Sequence, residues 1–181
     1  MIFLLLAALA AARPAAAEAT RDFDQRLGMS RGDRVRVNDV NGDIVATRSA
    51  SNQVRVRARI SSPNDDLAGV SIKVSQRGST VYVCPVFSGQ TVGDDCRSEG
   101  DNNNWRKIRV DFTIEVPAGV NLDADTVNGK IVADVDGNVV AKRSFLAAPR
   151  NALAMSLTCR SDHCAETGVR LPTTEVALSL M

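Results

Sequence analysis

The side chains that could carry out chemistry in this 181-residue chain are few and scattered. His163 is the only histidine, so a nucleophile–histidine–acid triad has a single candidate base, near the C-terminus. Four aspartates could supply a carboxylate pair for general acid–base catalysis: Asp123, Asp125, Asp134 and Asp136. They lie at predicted strand and turn positions, where solvation and turn capping explain them. We therefore predict no catalytic residue, no cofactor and no enzymatic activity.

The thiol groups are the next candidates for chemistry. There are four: Cys84, Cys96, Cys159 and Cys164. An even number of cysteines in an exported protein favours disulfides, and of the three possible pairings we favour the two local ones, Cys84–Cys96 and Cys159–Cys164. Cys159, His163 and Cys164 also resemble a fragment of a zinc site. Three ligands packed so closely, without a second cysteine pair, are poor spacing for a tetrahedral site, so we predict no bound metal.

Arginine side chains are concentrated on one predicted strand. Arg55, Arg57 and Arg59 alternate with apolar residues and therefore share the outer face of that strand. Three more are near in sequence: Arg34, Arg36 and Arg48. This surface could contact anionic envelope polymers, whereas the alternative is solubility and edge protection. The net charge of only +1 favours the alternative and predicts no nucleic-acid binding.

A repeated heptapeptide indicates the elements that must position these side chains. Residues 40–46 read VNGDIVA, residues 127–133 read VNGKIVA, and a looser copy, VDGNVVA, occupies residues 135–141. Shifting the chain by 87 residues also places Val35 on Leu122 and Val37 on Ala124, so the repeat covers a strand, a turn and a second strand. The predicted repeat corners are Asn41, Gly42, Asn128, Gly129, Asp136 and Gly137.

Apolar and polar residues alternate in several runs between residues 34 and 116, which is typical of half-buried strands. In residues 53–60 the inward set is Val54, Val56, Ala58 and Ile60. Residues 18–33 read as a polar lead-in. Adjacent apolar pairs such as Ile44-Val45 predict strands covered on both faces, or a binding surface. The sequence thus predicts an all-β, single-domain β-solenoid with tight corners, and a meander of hairpins is the alternative.

The two ends of the chain differ from its centre. Residues 1–17 read as a signal peptide, because a short apolar run ends in a small-residue cleavage site at Ala15-Ala16-Ala17. Residues 18–143 form the predicted β-repeat domain. Residues 144–181 are an atypical tail, without Asn-Gly turns, that is either a cap with a short helix beginning near Pro149 or the product of a shifted reading frame near Ser144.

A longer motif resembles a known bacterial family. Residues 111–122 read DFTIEVPAGVNL and residues 126–131 read TVNGKI. This combination resembles the exported "putative adhesin" domain of unknown function, over roughly residues 33–143. The resemblance implies a right-handed β-helix or β-roll outside the cytoplasm. The chain departs from the family pattern because its repeats end early and because a long loop lies between Cys84 and the next strand.

These features together favour a non-catalytic scaffold or adhesion module of the bacterial envelope. We expect a periplasmic or cell-surface location, an envelope polymer or protein as partner, and no membrane-spanning segment. Two alternatives stay open: a carbohydrate-active β-solenoid enzyme and a component of an envelope-stress sensor. Aromatic residues, the usual platforms for sugars, make up only 4% of the chain.

Overall fold

A computed structural model describes residues 18–63, 67–99, 107–143 and 164–166. All regular structure in these ranges is β, which confirms the predicted class. The strands are β1 (Ala19–Gly28), β2 (Arg34–Asn38), β3 (Ile44–Arg48), β4 (Gln53–Ser62), β5 (Val70–Arg77), β6 (Thr80–Phe87), β7 (Thr91–Val92), β8 (Ser98–Glu99), β9 (Arg109–Val116), β10 (Asn121–Thr126), β11 (Ile131–Asp134), β12 (Val139–Arg143) and β13 (Cys164–Glu166).

The strands form two large sheets and one small hairpin. Sheet I has the order β1-β4-β9-β3-β11, sheet II has the order β13-β12-β10-β2-β6-β5, and β7 pairs with β8. Both large sheets mix parallel and antiparallel pairs. The inward-facing residues of the two sheets form one hydrophobic cluster. Full burial of each Val, Leu, Ile or Phe stabilises the fold by about 1.5–3 kcal/mol, so this shared core holds the sheets together.

The sequence repeat of 87 residues is the register of parallel pairing. Leu122 lies opposite Val35 between β10 and β2, and Ile131 lies opposite Ile44 between β11 and β3. Each Asn-Gly corner takes the chain from sheet II to sheet I, so these turns close no hairpin. The chain then returns to sheet II, where Val139 of β12 pairs with Leu122. The two predicted units are therefore stacked side by side.

Antiparallel strands flank this parallel stack. The β1–β4–β9 pairs and the β5–β6 pair are antiparallel. A solenoid would consist of parallel coils throughout. The β-solenoid therefore stays a prediction that applies at most to the strands of the repeat.

Burial along β4 confirms the predicted inward face, because Val54, Val56, Ala58 and Ile60 are all at most 3% exposed. The apolar pair Ile44-Val45 divides, with Ile44 in the core and Val45 36% exposed on the outer face.

The polar lead-in prediction for residues 18–33 is wrong, because Ala19–Gly28 is a ten-residue strand at the edge of sheet I. Its inward side carries only two large apolar residues, Phe23 and Leu27, which are partly buried. An edge strand gains most of its order from ladder hydrogen bonds to its neighbour, here β4. The apolar residues of this segment are therefore too few to predict a strand from hydrophobic periodicity alone.

The signal peptide, the tail helix and the side chains of Cys159, His163 and Cys164 lie outside the described residues. No helix in the described part of the chain is long and apolar enough to cross a bilayer.

Candidate functional site

Within the described ranges, the outward face of sheet II has a covered half and an open half. The covered half consists of β5 and β6, over which residues 88–99 fold back. The contacts that hold this loop include the Cys84–Cys96 disulfide, a salt bridge of 3.0 Å between Lys73 and Asp94, and a hydrogen bond from Lys73 Nζ to the Val92 carbonyl. Lys73 lowers the pKa of Asp94 chiefly through their side-chain hydrogen bond. The loop therefore forms a wall beside the open half.

The disulfide is one of the two local pairs favoured from the sequence. Its Cα atoms are 6.0 Å apart, and it closes a loop of 12 residues in sequence separation. Cys84 is buried, at 4% exposure, next to the β5–β6 ladder. A cross-link of this length stabilises a fold by roughly 3 kcal/mol on the chain-entropy model.

The open half consists of β2, β10 and β12, and Arg36 is its central side chain. Arg36 Nη2 donates to Asp123 Oδ2 at 2.9 Å, and Arg34 Nη1 donates to the same oxygen at 3.2 Å. The Arg36 guanidinium also lies 5.9 Å from the ring centroid of Tyr82, within cation–π range. The Asp123 side chain is only 14% exposed, so the two arginines form the accessible part of this cluster.

A shallow groove runs beside this cluster. Its lining includes Asn38, Asp125, Val140 and Lys142. Asp123 and Asp125 project from the same face of β10, about 7 Å apart along the strand by strand geometry. That spacing falls in the range of paired glycosidase carboxylates. Asp123, however, already accepts two guanidinium hydrogen bonds, which is the bonding of a structural ion pair rather than of a proton donor.

The outward face of sheet I carries the predicted arginine strand, and here charges are balanced across strands. Arg57 Nη2 donates to Glu115 Oε1 at 2.9 Å, and Arg55 binds Asp24 on the other neighbouring strand. The Arg55 hydrogen bond is the main reason that the pKa of Asp24 is lowered. Carboxylate partners of this kind favour the solubility interpretation of Arg55 and Arg57.

The six arginines grouped by sequence do not form one surface. Those of β4 face outward from sheet I, whereas Arg34 and Arg36 face outward from sheet II. Arg48 instead pairs with Asp134 at 3.1 Å and Asp136 at 3.2 Å. Nearness in sequence is a poor guide here, because each corner transfers the chain to the opposite sheet.

The repeat corners form a stack at one edge of the two sheets. Asn41 and Asn128 form an isolated parallel bridge, and the N–H of Gly42 donates to the Asn128 carbonyl at 3.0 Å. A Cβ atom on Gly129 would lie 1.7 Å from the Gly42 carbonyl oxygen, and one on Gly42 would lie 1.9 Å from that of Val110. The corner glycines are therefore required by close backbone approach between successive levels.

The third repeat copy has a different place. Asp136 and Gly137 lie between β11 and β12, where the chain returns from sheet I to sheet II. A Cβ atom on Gly137 would lie 1.9 Å from the Val120 carbonyl oxygen, so close approach explains this glycine as well. Eight residues thus take the chain through one strand and one corner, and the third copy is a return corner.

Sequence reasoning missed one buried ionisable residue, Asp39. It is 5% exposed, and neither carboxyl oxygen has a hydrogen-bond partner of normal geometry in the described part of the chain. Burial is the main reason that the pKa of Asp39 is raised to about 7. The Val40 and Asn41 amides act against this rise, Asp111 adds to it, and Arg109 opposes it. The 87-residue offset aligns Asp39 with buried Thr126, a signal present in the sequence.

Across the described ranges, no three side chains of His, Cys, Asp or Glu converge in a way that could hold a metal ion. The absence of a metal or cofactor stays a prediction for the whole chain.

No family model and no curated protein matches this sequence. Among solved structures, the chain is similar to a putative cell adhesion protein from Clostridium sporogenes, at 10% identity and a TM-score of 0.39 over 70% of this chain and 59% of that one. It is also similar to a putative adhesin from Bacteroides fragilis, at 15% identity and a TM-score of 0.36 over 86% of this chain and 60% of that one.

A third similarity is to a putative lipid binding protein from Parabacteroides distasonis, at 11% identity and a TM-score of 0.25 over 67% of this chain and 51% of that one. The chain thus spans 60% or less of the length of each of these three structures. Two of the three carry the adhesin or adhesion description that the sequence motifs also suggest. Such low identities and TM-scores assign neither a fold family nor an activity.

Proposed function

We propose that this chain is an exported, non-catalytic interaction module of the bacterial envelope, and that its contact surface is the open half of sheet II. The observation that carries the proposal is the Arg36 cluster, in which one guanidinium binds Asp123 and lies against Tyr82 on a strand whose inner side is fully buried. Arginine and tyrosine are enriched in recognition surfaces.

The scaffold supports this role by limiting the motion of the cluster. Val35 and Val37 flank Arg36 on β2 and are both 0% exposed, so the strand is fixed by the core beneath it. The disulfide-bonded loop 88–99 borders the same face. Side chains that are already ordered lose little conformational entropy on binding, which favours recognition of an extended partner.

The partner we propose is a polar polymer of the envelope with anionic and hydroxyl groups. The open half offers exposed guanidinium groups, of which Arg34 and Arg36 are 46% and 41% exposed, together with the amide of Asn38 in the groove. Guanidinium groups bind carboxylates and phosphates in two-point geometry, and amides bind hydroxyl groups.

The binding test uses the full mature chain and two envelope polymers, peptidoglycan sacculi and purified lipopolysaccharide, in co-sedimentation assays. Arg36→Ala should weaken binding about tenfold, because it removes both a charged contact and the contact with Tyr82. Arg57→Ala on sheet I is a matched control: Arg57 also has one carboxylate partner at 2.9 Å and is 44% exposed. Equal effects of the two variants, or no binding to either polymer, would refute the proposal.

The carbohydrate-active enzyme is the second candidate, because Asp123 and Asp125 share one groove. It predicts hydrolysis of an envelope glycan that disappears in Asp125→Asn. Binding without release of reducing ends supports the non-catalytic proposal, whereas turnover by the purified chain would replace it.

We also propose the finer features of architecture and export. The parallel stack β2–β3 and β10–β12 would be a short β-helix-like segment within the mixed sheets, in line with the family resemblance. Residues 1–17 would direct export and be removed after Ala17. N-terminal sequencing of the periplasmic protein should find Glu18 first, and a full-length cytoplasmic product would contradict export.

A further inference from the structure

Three backbone levels are aligned at the corner stack. Ile131 of β11 pairs with Ile44 of β3, and Ile44 pairs with Phe112 of β9. Two residues earlier at each level, this register places Gly129, Gly42 and Val110 in one column. The close approaches of the two glycines to the carbonyl below each of them follow this column.

Side-chain hydrogen bonds repeat from level to level as well. The N–H of Lys130 donates to Asp43 Oδ1 at 2.8 Å, and the N–H of Asp43 donates to Asp111 Oδ1 at 2.9 Å. At each level, the backbone N–H that follows the glycine thus donates to the aspartate carboxylate of the level below. Equivalent polar groups at successive levels should therefore make equivalent hydrogen bonds.

The inward position before each corner is where the levels differ. At the upper level, which is the corner of Asn128 and Gly129, Thr126 Oγ1 donates to the Gly42 carbonyl at 3.2 Å. At the lower level, which is the corner of Asn41 and Gly42, Asp39 occupies the position of Thr126. The acceptor equivalent to the Gly42 carbonyl is there the Val110 carbonyl. The two side-chain oxygens occupy matching places: Thr126 Oγ1 is 3.1 Å from the Cβ site of Gly129, and Asp39 Oδ2 is 3.0 Å from that of Gly42.

A carbonyl oxygen can only accept a hydrogen bond, and an ionised carboxylate can only accept one as well. A carboxyl group that is buried opposite a carbonyl can be satisfied there only when it holds its proton. The backbone N–H of Asp43, which could otherwise serve the Val110 carbonyl, is already bound to Asp111.

We propose that Asp39 is a protonated hydrogen-bond donor to the Val110 carbonyl in the folded protein, and that it acts as a pH-sensitive latch between the β2–β3 corner and β9. Loss of the proton would place a buried negative charge opposite a carbonyl oxygen, and the corner would then loosen. No comparable change would occur at the upper corner, because the Thr126 hydroxyl keeps its proton throughout the physiological range.

The charged groups around Asp39 come from all the elements packed against it. Strand β9 contributes Asp111, which opposes ionisation, and Arg109, which favours it. Arg109 is itself held by Asp111 at 2.6 Å and Asp43 at 3.0 Å, so its charge is largely shared with these carboxylates. Strand β10 contributes Asp125, whose carbonyl accepts the N–H of Asp39, and at the upper corner the backbone N–H of the exposed residue Lys130 binds Asp43.

The sign of the pH dependence follows from the raised pKa of about 7 for Asp39. In the unfolded chain the carboxyl has an ordinary pKa near 3.9. The stabilisation is fully present below that ordinary value and is lost as the pH rises through the folded value. Between pH 5 and pH 8 the unfolding equilibrium constant should therefore increase on the order of tenfold to a hundredfold from this residue.

The first test is the carboxyl carbon resonance of Asp39, followed by NMR between pH 3 and pH 9 in the full, disulfide-bonded chain and assigned by its loss in Asp39→Asn. We expect a midpoint near 7. A midpoint in the ordinary aspartate range would overturn the proposal, and backbone-to-side-chain correlations in the wild-type protein assign the resonance if Asp39→Asn does not fold.

The second test compares urea unfolding at pH 5 and pH 8. Asp39→Asn and Asp39→Thr each place a permanent donor at this position, so both should lose the tenfold to hundredfold pH effect. Asp134→Asn, which alters an exposed carboxyl paired with Arg48, is the control and should keep it. If Asp39→Asn retains the wild-type pH dependence, the latch does not exist.

Discussion

The two copies of the corner, residues 39–43 and residues 126–130, share a backbone and differ in their side chains. Both contain Val-Asn-Gly, and in both the glycine lies in close contact with a backbone carbonyl of the level below. The inward residue is Asp39 in one copy and Thr126 in the other, and both are buried. Stacking thus fixes the same path of the chain in both copies, whereas the inward side chains differ in their bonding: Thr126 donates to the Gly42 carbonyl, and the donation proposed for Asp39 requires its proton.

The largest effect should come from the feature that the copies share. Gly42→Ala and Gly129→Ala should each destabilise the fold by about 2–4 kcal/mol, because the new Cβ would overlap a backbone carbonyl that is held in the sheet. Chemical denaturation at pH 6 measures this loss. Gly28→Ala is the control, since no atom lies within 4 Å of its Cβ site. Tolerance of either corner variant would mean that the levels can separate.

Exchanging the inward residues should exchange the behaviour of the copies. Thr126→Asp should cost about 2–3 kcal/mol at pH 8, because it removes the bond to the Gly42 carbonyl and buries a carboxylate. The cost should shrink at pH 5, since a carboxyl with a raised pKa stabilises the fold while it is protonated. Urea midpoints at the two pH values test this. If Thr126→Asp destabilises the fold equally at both pH values, the change in side-chain volume, and not the charge, causes the loss.

The asparagines of the two corners differ in their side-chain hydrogen bonds, and the expected effect is smaller. Asn41 Nδ2 donates to the Ile108 carbonyl at 2.8 Å, whereas Asn128 is exposed and has no side-chain hydrogen bond within the described residues. Asn41→Ala should therefore cost about 1 kcal/mol, and Asn128→Ala less than about half of that. Equal losses in thermal unfolding would indicate that backbone preference, rather than the side-chain bond, selects asparagine.

The smallest effect concerns Asp43, which links the two corners by accepting the N–H of Lys130. Asp43→Ala should cost about 0.5–1 kcal/mol at low salt. Asp43→Asn should recover most of the loss, because the amide oxygen can still accept that hydrogen bond. A loss that vanishes at 1 M salt in both variants would assign the effect to Arg109 instead.

Much of the fold could be predicted because the alternation of apolar and polar residues indicates which face of a strand is buried. Val54, Val56, Ala58 and Ile60 alternate with arginines, and alternation places each side chain on one face of a strand. The 87-residue offset identified the equivalent residues of the two units, and the structure shows that these residues pair in parallel. Strand β1 was missed because its order depends on pairing with β4, which its own sequence barely signals.

The candidate site was less predictable, because its residues meet through pairing between strands that are distant in sequence. Arg36 reaches Asp123 and Tyr82 only because β2 lies between β10 and β6. The same crossing of the chain between sheets separated Arg36 from Arg55 and Arg57, which the sequence had placed together. Asp39 was overlooked because a polar residue beside a turn normally reads as solvated.

Local sequence patterns were therefore sufficient to predict the β class, the inward faces of most strands of residues 34–143 and the equivalence of the two Val-Asn-Gly corners. These properties depend on the order of neighbouring residues and on a repeat that can be read directly. The tertiary structure was needed to show that the corners join two sheets, that a carbonyl on the next level requires glycine there, and that the Asp39 carboxyl is buried with no partner of normal geometry among the described residues. Burial and close contact are set by residues far away in the chain, so no local pattern could specify them.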